Sequence, residues 1–192
     1  GSQIVKEDRQ NVWLEVGSGE NWDEFVRYCV DCHFGGVENL AFIPGTVGAA
    51  PVQNIGAYGQ EACNVIERVK GYDLNKRQFV EYSNEDCQFS YRNSIFKSQL
   101  KNRFVILSVV FRLDKFPEFN LDYKTLEQKV NEQGEVNLQN IKQAVIDIRS
   151  AKLPDVNEIG SAGSFFKNPL VDIKTAQKIE GDFKDMPVFS AG

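Results

Sequence analysis

The run FVILSVVFRL, Phe104 to Leu113, is the most restrictive feature of this 192-residue chain. Only Ser108 and Arg112 interrupt its apolar character. β-Branched and aromatic residues favour extended backbone, and a strand apolar on both faces belongs in the middle of a sheet. The run is also far short of the roughly 20 apolar residues that cross a bilayer. The rest of the chain must therefore supply flanking strands. Val12 to Val16 (VWLEV), Val65 to Tyr72 and Arg77 to Tyr82 have the required texture, the last two joined across DLNK.

Helical spacing appears between and after these strands. Trp22, Phe25, Val26, Cys29 and Val30 recur at i, i+3, i+4, i+7 and i+8, with Asn21 as N-cap, Glu24 three residues on, and Gly35-Gly36 as the stop. Beyond Leu113 the chain turns polar. Leu126 and Val130 mark one helix ending near Gly134, and Ile141, Ala144, Val145 and Ile148 mark another, capped by Asn137 or Asn140. A short helix is expected over Asp172 to Glu180. Strands first and helices later indicate an α+β fold, not a doubly wound parallel one.

Composition narrows the function. A net charge of −5 argues against a nucleic-acid partner held by phosphate contacts. Arg92, Lys97, Lys101 and Arg103 nevertheless cluster, so a local anionic site is compatible with the acidic whole. GSQIVKEDRQ turns charged at once, unlike a signal peptide, and Gly1-Ser2 reads as a cloning scar. Cys29 and Cys32 form C-x-x-C in mid-helix, not at a helix N-terminus where a redox thiol is activated, and Cys63 and Cys87 add no second pair. His33 is the only histidine and reads as structural. A metal site and a histidine-based triad are both disfavoured.

The segment FIPGTVGAAPVQNIGAYGQE, residues 42–61, carries four glycines and two prolines but few groups able to do acid–base chemistry. Glycine lets backbone N–H groups approach a ligand, small Ala49 and Ala50 leave room, and Gln53 and Asn54 add uncharged donors and acceptors. A cofactor with a pyrophosphate and a flat hydrogen-bonding ring suits that combination. A long structural loop packed under a sheet suits it equally well. Neither a P-loop nor a G-x-G-x-x-G fingerprint is present.

Three segments together, residues 42–61, YRNSIFK (Tyr91 to Lys97) and GSAGSFFKNP (Gly160 to Pro169), resemble in order and wording the UDP-N-acetylenolpyruvoylglucosamine reductases, the MurB family of bacterial peptidoglycan precursor synthesis. RSAKLPD, Arg149 to Asp155, is similar to that family too. The resemblance extends over essentially the whole chain, and the second and third segments together are its specific part. It implies a flavoprotein of the vanillyl-alcohol-oxidase-like fold with FAD as cofactor and NADPH as reductant. Hydride would pass from NADPH through the flavin to UDP-N-acetylglucosamine enolpyruvate, giving UDP-N-acetylmuramate. The FAD contacts implied are Pro44, Gly45, Thr46, Gly48, Ala49, Ala50, Asn54, Ile55, Gly56, Tyr58 and Gly59.

The resemblance also implies catalytic and substrate residues. Arg92 would hold the enolpyruvyl carboxylate and stabilise charge growing there. Ser164 would deliver a proton to C2, helped by Lys152 or Lys167. Tyr123 would close over the substrate diphosphate from a mobile loop, and Lys152 and Asn168 would hold the UDP portion. Phe165 and Phe166 read as core packing around their loop.

By the same resemblance, residues 1–153 form the larger FAD-binding subdomain with an inserted helical segment carrying Tyr123. Residues 154–192 open a C-terminal α/β substrate-binding domain. A smaller N-terminal flavin subdomain, and the rest of the C-terminal domain with a late glutamate, have no counterpart in this sequence. The chain thus reads as a fragment of a cytoplasmic enzyme that is monomeric when complete. It is expected to bind FAD weakly or not at all, to lack turnover, and to expose apolar surface that promotes self-association. Two other readings remain at this stage: a flavoprotein of the same fold acting on an alcohol or lactone, and a module that only binds a UDP-sugar.

Overall fold

Five strands make one antiparallel sheet: β1 (Ser2–Glu7), β2 (Asn11–Gly17), β5 (Ile66–Asp73), β6 (Gln78–Ser83) and β7 (Phe104–Asp114), in the spatial order β1-β2-β7-β5-β6. They belong to a computed structural model that describes residues 1–154, 158–160, 166–184, 186 and 188. The chain divides into two compact units, Gly1–Glu158 and Ile159–Gly192. The apolar run is the middle strand of the sheet, as its composition requires. Between β2 and β5 the chain forms α1 (Trp22–Asp31) and a two-stranded hairpin, β3 (Gly56–Ala57) with β4 (Gln60–Glu61). After β7 come α2 (Lys124–Gln133) and α3 (Leu138–Ser150).

One face of the sheet carries the core. Val12, Leu14 and Val16 of β2, Val69 of β5, and Val109, Phe111 and Leu113 of β7 are buried in a core that α1 and the 3₁₀ turn at Val47–Ala49 cover. Asn21 caps α1 by accepting from the Glu24 N–H at 3.0 Å, and the helix buries Trp22, Phe25, Val26, Cys29 and Val30. Trp22, Phe25 and Phe111 pack ring against ring, with centroids 4.6–6.0 Å apart, and the indole N–H donates to the Leu40 carbonyl. Each large apolar side chain so buried contributes about 1.5–3 kcal/mol. Asn137 caps α3, and Gly134 at φ 109° ends α2. The C-x-x-C lies at the end of α1, with Cys32 as its C-cap, and not in mid-helix. Burial pushes the Cys29 thiol well up and that of Cys87 up to about 12.

The other face is wetter. Glu15 accepts from Lys70 Nζ at 2.8 Å and from Ser108 Oγ at 2.7 Å, and these bonds lower its carboxyl pKa. Phe79, Val105 and Leu107 are exposed there. β1 is exposed along its whole length and is held by its ladder to β2 and by Lys6 over the Trp13 ring. Ser2 takes part in that ladder opposite Val16. At the β5–β6 turn, Asp73 is completely buried and takes two bonds from Arg103, at 3.0 and 3.2 Å. Arg103, with backbone N–H donors from Lys76 and Asn75, pulls its pKa down to about 2.

The second unit carries α4 (Ile173–Asp182), capped by Asp172, whose side chain accepts from the Thr175 N–H at 2.8 Å. Phe166 is 86% exposed, which corrects the expectation that it packs into a core. Among the described residues of this unit no large hydrophobic is buried. Phe165 lies outside the described residues.

Candidate functional site

The two motifs 42–61 and 91–97 come together as one structure. Pro44, Gly45 and Thr46 form an exposed turn laid against the start of α1, where the Trp22 N–H donates to the Gly45 carbonyl and the Val47 N–H to the Glu20 carbonyl. Val47–Ala49 is a single 3₁₀ turn over buried Val47. The chain then passes buried Ala50 and Asn54 to the β3–β4 hairpin, with Tyr58 and Gly59 at its tip. Ile55 is half-buried against the core. Gly45 sits at φ 131°, a conformation that favours glycine, and a side chain there would meet nothing within 4 Å. Among the described residues the successive N–H groups of Gly45 and Thr46 have no acceptor. Adjacent free backbone donors beside open space are groups that an anion can accept from.

Arg92 clamps the segment from outside. Its Nη1 donates to the Asn54 carbonyl at 3.3 Å and to Glu61 Oε1 at 3.2 Å, and its Nη2 donates to the Gly56 carbonyl at 2.6 Å. Tyr91 lies 4.9 Å from the guanidinium carbon, measured to its ring centre. A guanidinium has five N–H donors. Nε–H and one N–H of Nη2 are therefore left without a partner among the described residues, on a side chain that is 27% exposed. Buried Ser94 adds a second tie, its hydroxyl donating to the Val52 carbonyl at 2.7 Å. Asn54, Tyr58 and Arg92 all have positive φ, 45°, 49° and 53°. Such backbone costs about 1–2 kcal/mol per residue and persists only where the surroundings enforce it.

The Asn54 side chain is the internal brace. Its Nδ2 donates to Glu61 Oε2 at 2.8 Å and to the Ser90 carbonyl at 3.2 Å, while Oδ1 accepts from the Cys63 N–H. At the hairpin tip, the Tyr58 ring meets Tyr123 edge to face at 5.7 Å. Tyr123 is the exposed N-cap residue of α2. Partial burial raises the Tyr58 phenol pKa, against a lowering by the nearby Arg149 guanidinium. Arg149 also donates from Nε to the Phe42 carbonyl at 2.9 Å. Asn39 ties the Tyr58 and Asn120 carbonyls together through Nδ2, while its own Oδ1 is buried without a partner among the described residues.

Of the residues singled out from sequence, the structure thus gathers the 42–61 segment, Arg92 and Tyr123 in the first unit. Lys152 is exposed just past the end of α3 in that unit, and Asn168 and Lys167 are exposed in the second. Ser164 lies outside the described residues. Glu61, Ser94 and Arg149 were not singled out, although all three lie within the quoted motifs. Their signal is a polar group placed inside a motif whose other members are expected to bind. A cavity of about 410 Å³ opens beside Gly35, Gly36, Gln60 and Arg112, and none of the sequence-derived site residues lines it.

The family described as FAD binding domain matches residues 2–76. The UDP-N-acetylenolpyruvoylglucosamine reductase of Amoebophilus asiaticus is 43% identical over 190 residues, covering 98% of this chain and 56% of that protein. That of Neisseria gonorrhoeae is 48% identical over 188 residues, covering 96% and 54%. The crystal structure of the same reductase (MurB) from Thermus caldophilus superposes with a TM-score of 0.60 at 24% identity, over 81% of this chain and 48% of that one, a likeness of fold. The chain spans a little more than half the length of these curated relatives, and over that span it is a homologue of the UDP-N-acetylenolpyruvoylglucosamine reductases.

Proposed function

We propose that this chain supplies flavin- and substrate-binding parts of an enzyme that reduces UDP-N-acetylglucosamine enolpyruvate to UDP-N-acetylmuramate in peptidoglycan precursor synthesis, with FAD as cofactor and NADPH as reductant. The observation that carries the reading is Arg92: it is anchored on the glycine-rich segment, yet two of its donors have no partner among the described residues. FAD, when bound, supplies the hydride chemistry. The Gly45–Thr46 turn would hold its diphosphate through backbone N–H groups, and the small, exposed Ala49 beside it would let it approach. Arg92 would engage the enolpyruvyl carboxylate and stabilise negative charge there as the double bond is reduced. Tyr123 and Lys152 would hold the UDP portion together with Asn168, and Ser164 would give the proton to C2.

In the finer fold assignment, residues 1–153 form the larger flavin subdomain and 154–192 begin the substrate-binding domain. The complete enzyme would be a cytoplasmic monomer, and the chain by itself would bind FAD weakly and lack turnover. The test is made on the chain and on the full product of its gene, side by side. Flavin absorbance is titrated first, and NADPH oxidation is then followed with and without the enolpyruvyl substrate. The full product should oxidise NADPH only when that substrate is present, and Arg92→Lys should cost it about 10²–10³-fold in kcat, as loss of an oriented charge donor does elsewhere. A full product that binds no flavin, or oxidises NADPH regardless of the enolpyruvyl group, sinks the reading.

A further inference from the structure

We propose that Glu61 is a positioning residue for Arg92: it fixes the plane of the guanidinium so that the two unused donors face a ligand carboxylate. This rests on the reading of Arg92 given above. The register of the small hairpin pairs Gly56 with Glu61, so the Gly56 carbonyl and the Glu61 carboxylate stand side by side before one guanidinium. The carboxylate is shared. Oε1 takes Arg92 Nη1 at 3.2 Å and Oε2 takes Asn54 Nδ2 at 2.8 Å.

The contribution of Glu61 follows from what remains without it. Nη1 would keep only the Asn54 carbonyl, at 3.3 Å, and Nη2 its short bond to the Gly56 carbonyl. A guanidinium held by one good bond pivots about it, whereas three acceptors around Nη1 and Nη2 define a plane. An exposed ion pair formed for its own sake contributes little. Here one acceptor is fixed from behind by Asn54, a residue of zero exposure that is itself tied to Cys63 and Ser90. The chain of contacts therefore runs from the Cys63 and Ser90 backbone, through the buried Asn54 side chain and Glu61, to Arg92. Gly56 completes it, because a methyl group at that position would lie 2.7 Å from Arg92 Nη1.

The test reads the guanidinium directly. In side-chain ¹⁵N NMR of the chain, the Arg92 Nη groups should give separate, slowly rotating signals, assigned by their loss in Arg92→Lys. Glu61→Gln, which keeps shape but removes the charge, should merge them by fast rotation, and Glu61→Asp, one methylene shorter, should do the same. Unchanged Nη signals in both variants overturn the proposal. Loss of the fold in both also overturns it, since a residue that only aims a partly exposed side chain is not required for folding. In the full gene product, the affinity ratio between UDP-N-acetylglucosamine enolpyruvate and UDP-N-acetylglucosamine should fall about tenfold in Glu61→Gln, the scale of one weakened charge-assisted contact. If the unsubstituted protein shows no preference between those two ligands, the functional reading fails, while the NMR result still decides the role of Glu61.

Discussion

At Gly56 the missing side chain makes room for an arginine thirty-six residues away in sequence. Gly56→Ala should therefore displace Arg92 and destabilise the first unit by about 1–3 kcal/mol in urea denaturation, the usual cost of overpacking. Both residues stand out in the sequence, where the glycine signals close approach of a ligand. Nothing in one sequence says which partner fills a glycine's space. Glu61 was missed because a carboxylate in a Gly-Gln-Glu turn looks like any solvated charge. Asp73 is a different case, a charge whose effect can be read by titration. Its folded pKa of about 2 lies below the usual 3.8. The stabilisation is thus complete above pH 4 and lost as pH falls through about 2. The urea midpoint should drop between pH 4 and pH 2, and Asp73→Asn should flatten that part of the profile while lowering stability at pH 7.

Among the elements, those with internal signals were legible. α1 and α3 carry apolar stripes and asparagine caps, and β7 carries its apolar run. The α1 cap is one bond, Glu24 N–H to Asn21, and Asn21→Ala should cost about 1 kcal/mol by thermal unfolding. β1 left no pattern because it buries nothing and owes its conformation to the neighbouring β2. The β3–β4 hairpin has only two residues in each strand, too few for any periodicity to register. Its geometry is imposed by Asn54 and Arg92, which is why the site's frame was invisible although most of its members were named.

For the molecule as a whole, the pairing of Tyr72 with both Val105 and Phe79 lines these three residues up across adjacent strands, with Leu107 two positions along. Phe79 is 77% exposed, and Val105 and Leu107 are nearly half so. This apolar strip should produce concentration-dependent association in sedimentation velocity, reduced by Phe79→Glu.

The order of the sheet also governs how it can assemble. β1–β2 and β5–β6 are local hairpins, but they meet only through β7, which lies about 90 residues beyond β2 in the chain. As the polypeptide emerges during synthesis, the strands of both hairpins are made before the strand that joins them. Closing so long a loop is an entropic barrier that local contacts do not offset, and it places folding in the millisecond-to-second range of sheet-dominated domains. The strand that reads most clearly in the sequence is thus the last of the five to be made and the one that both hairpins must wait for.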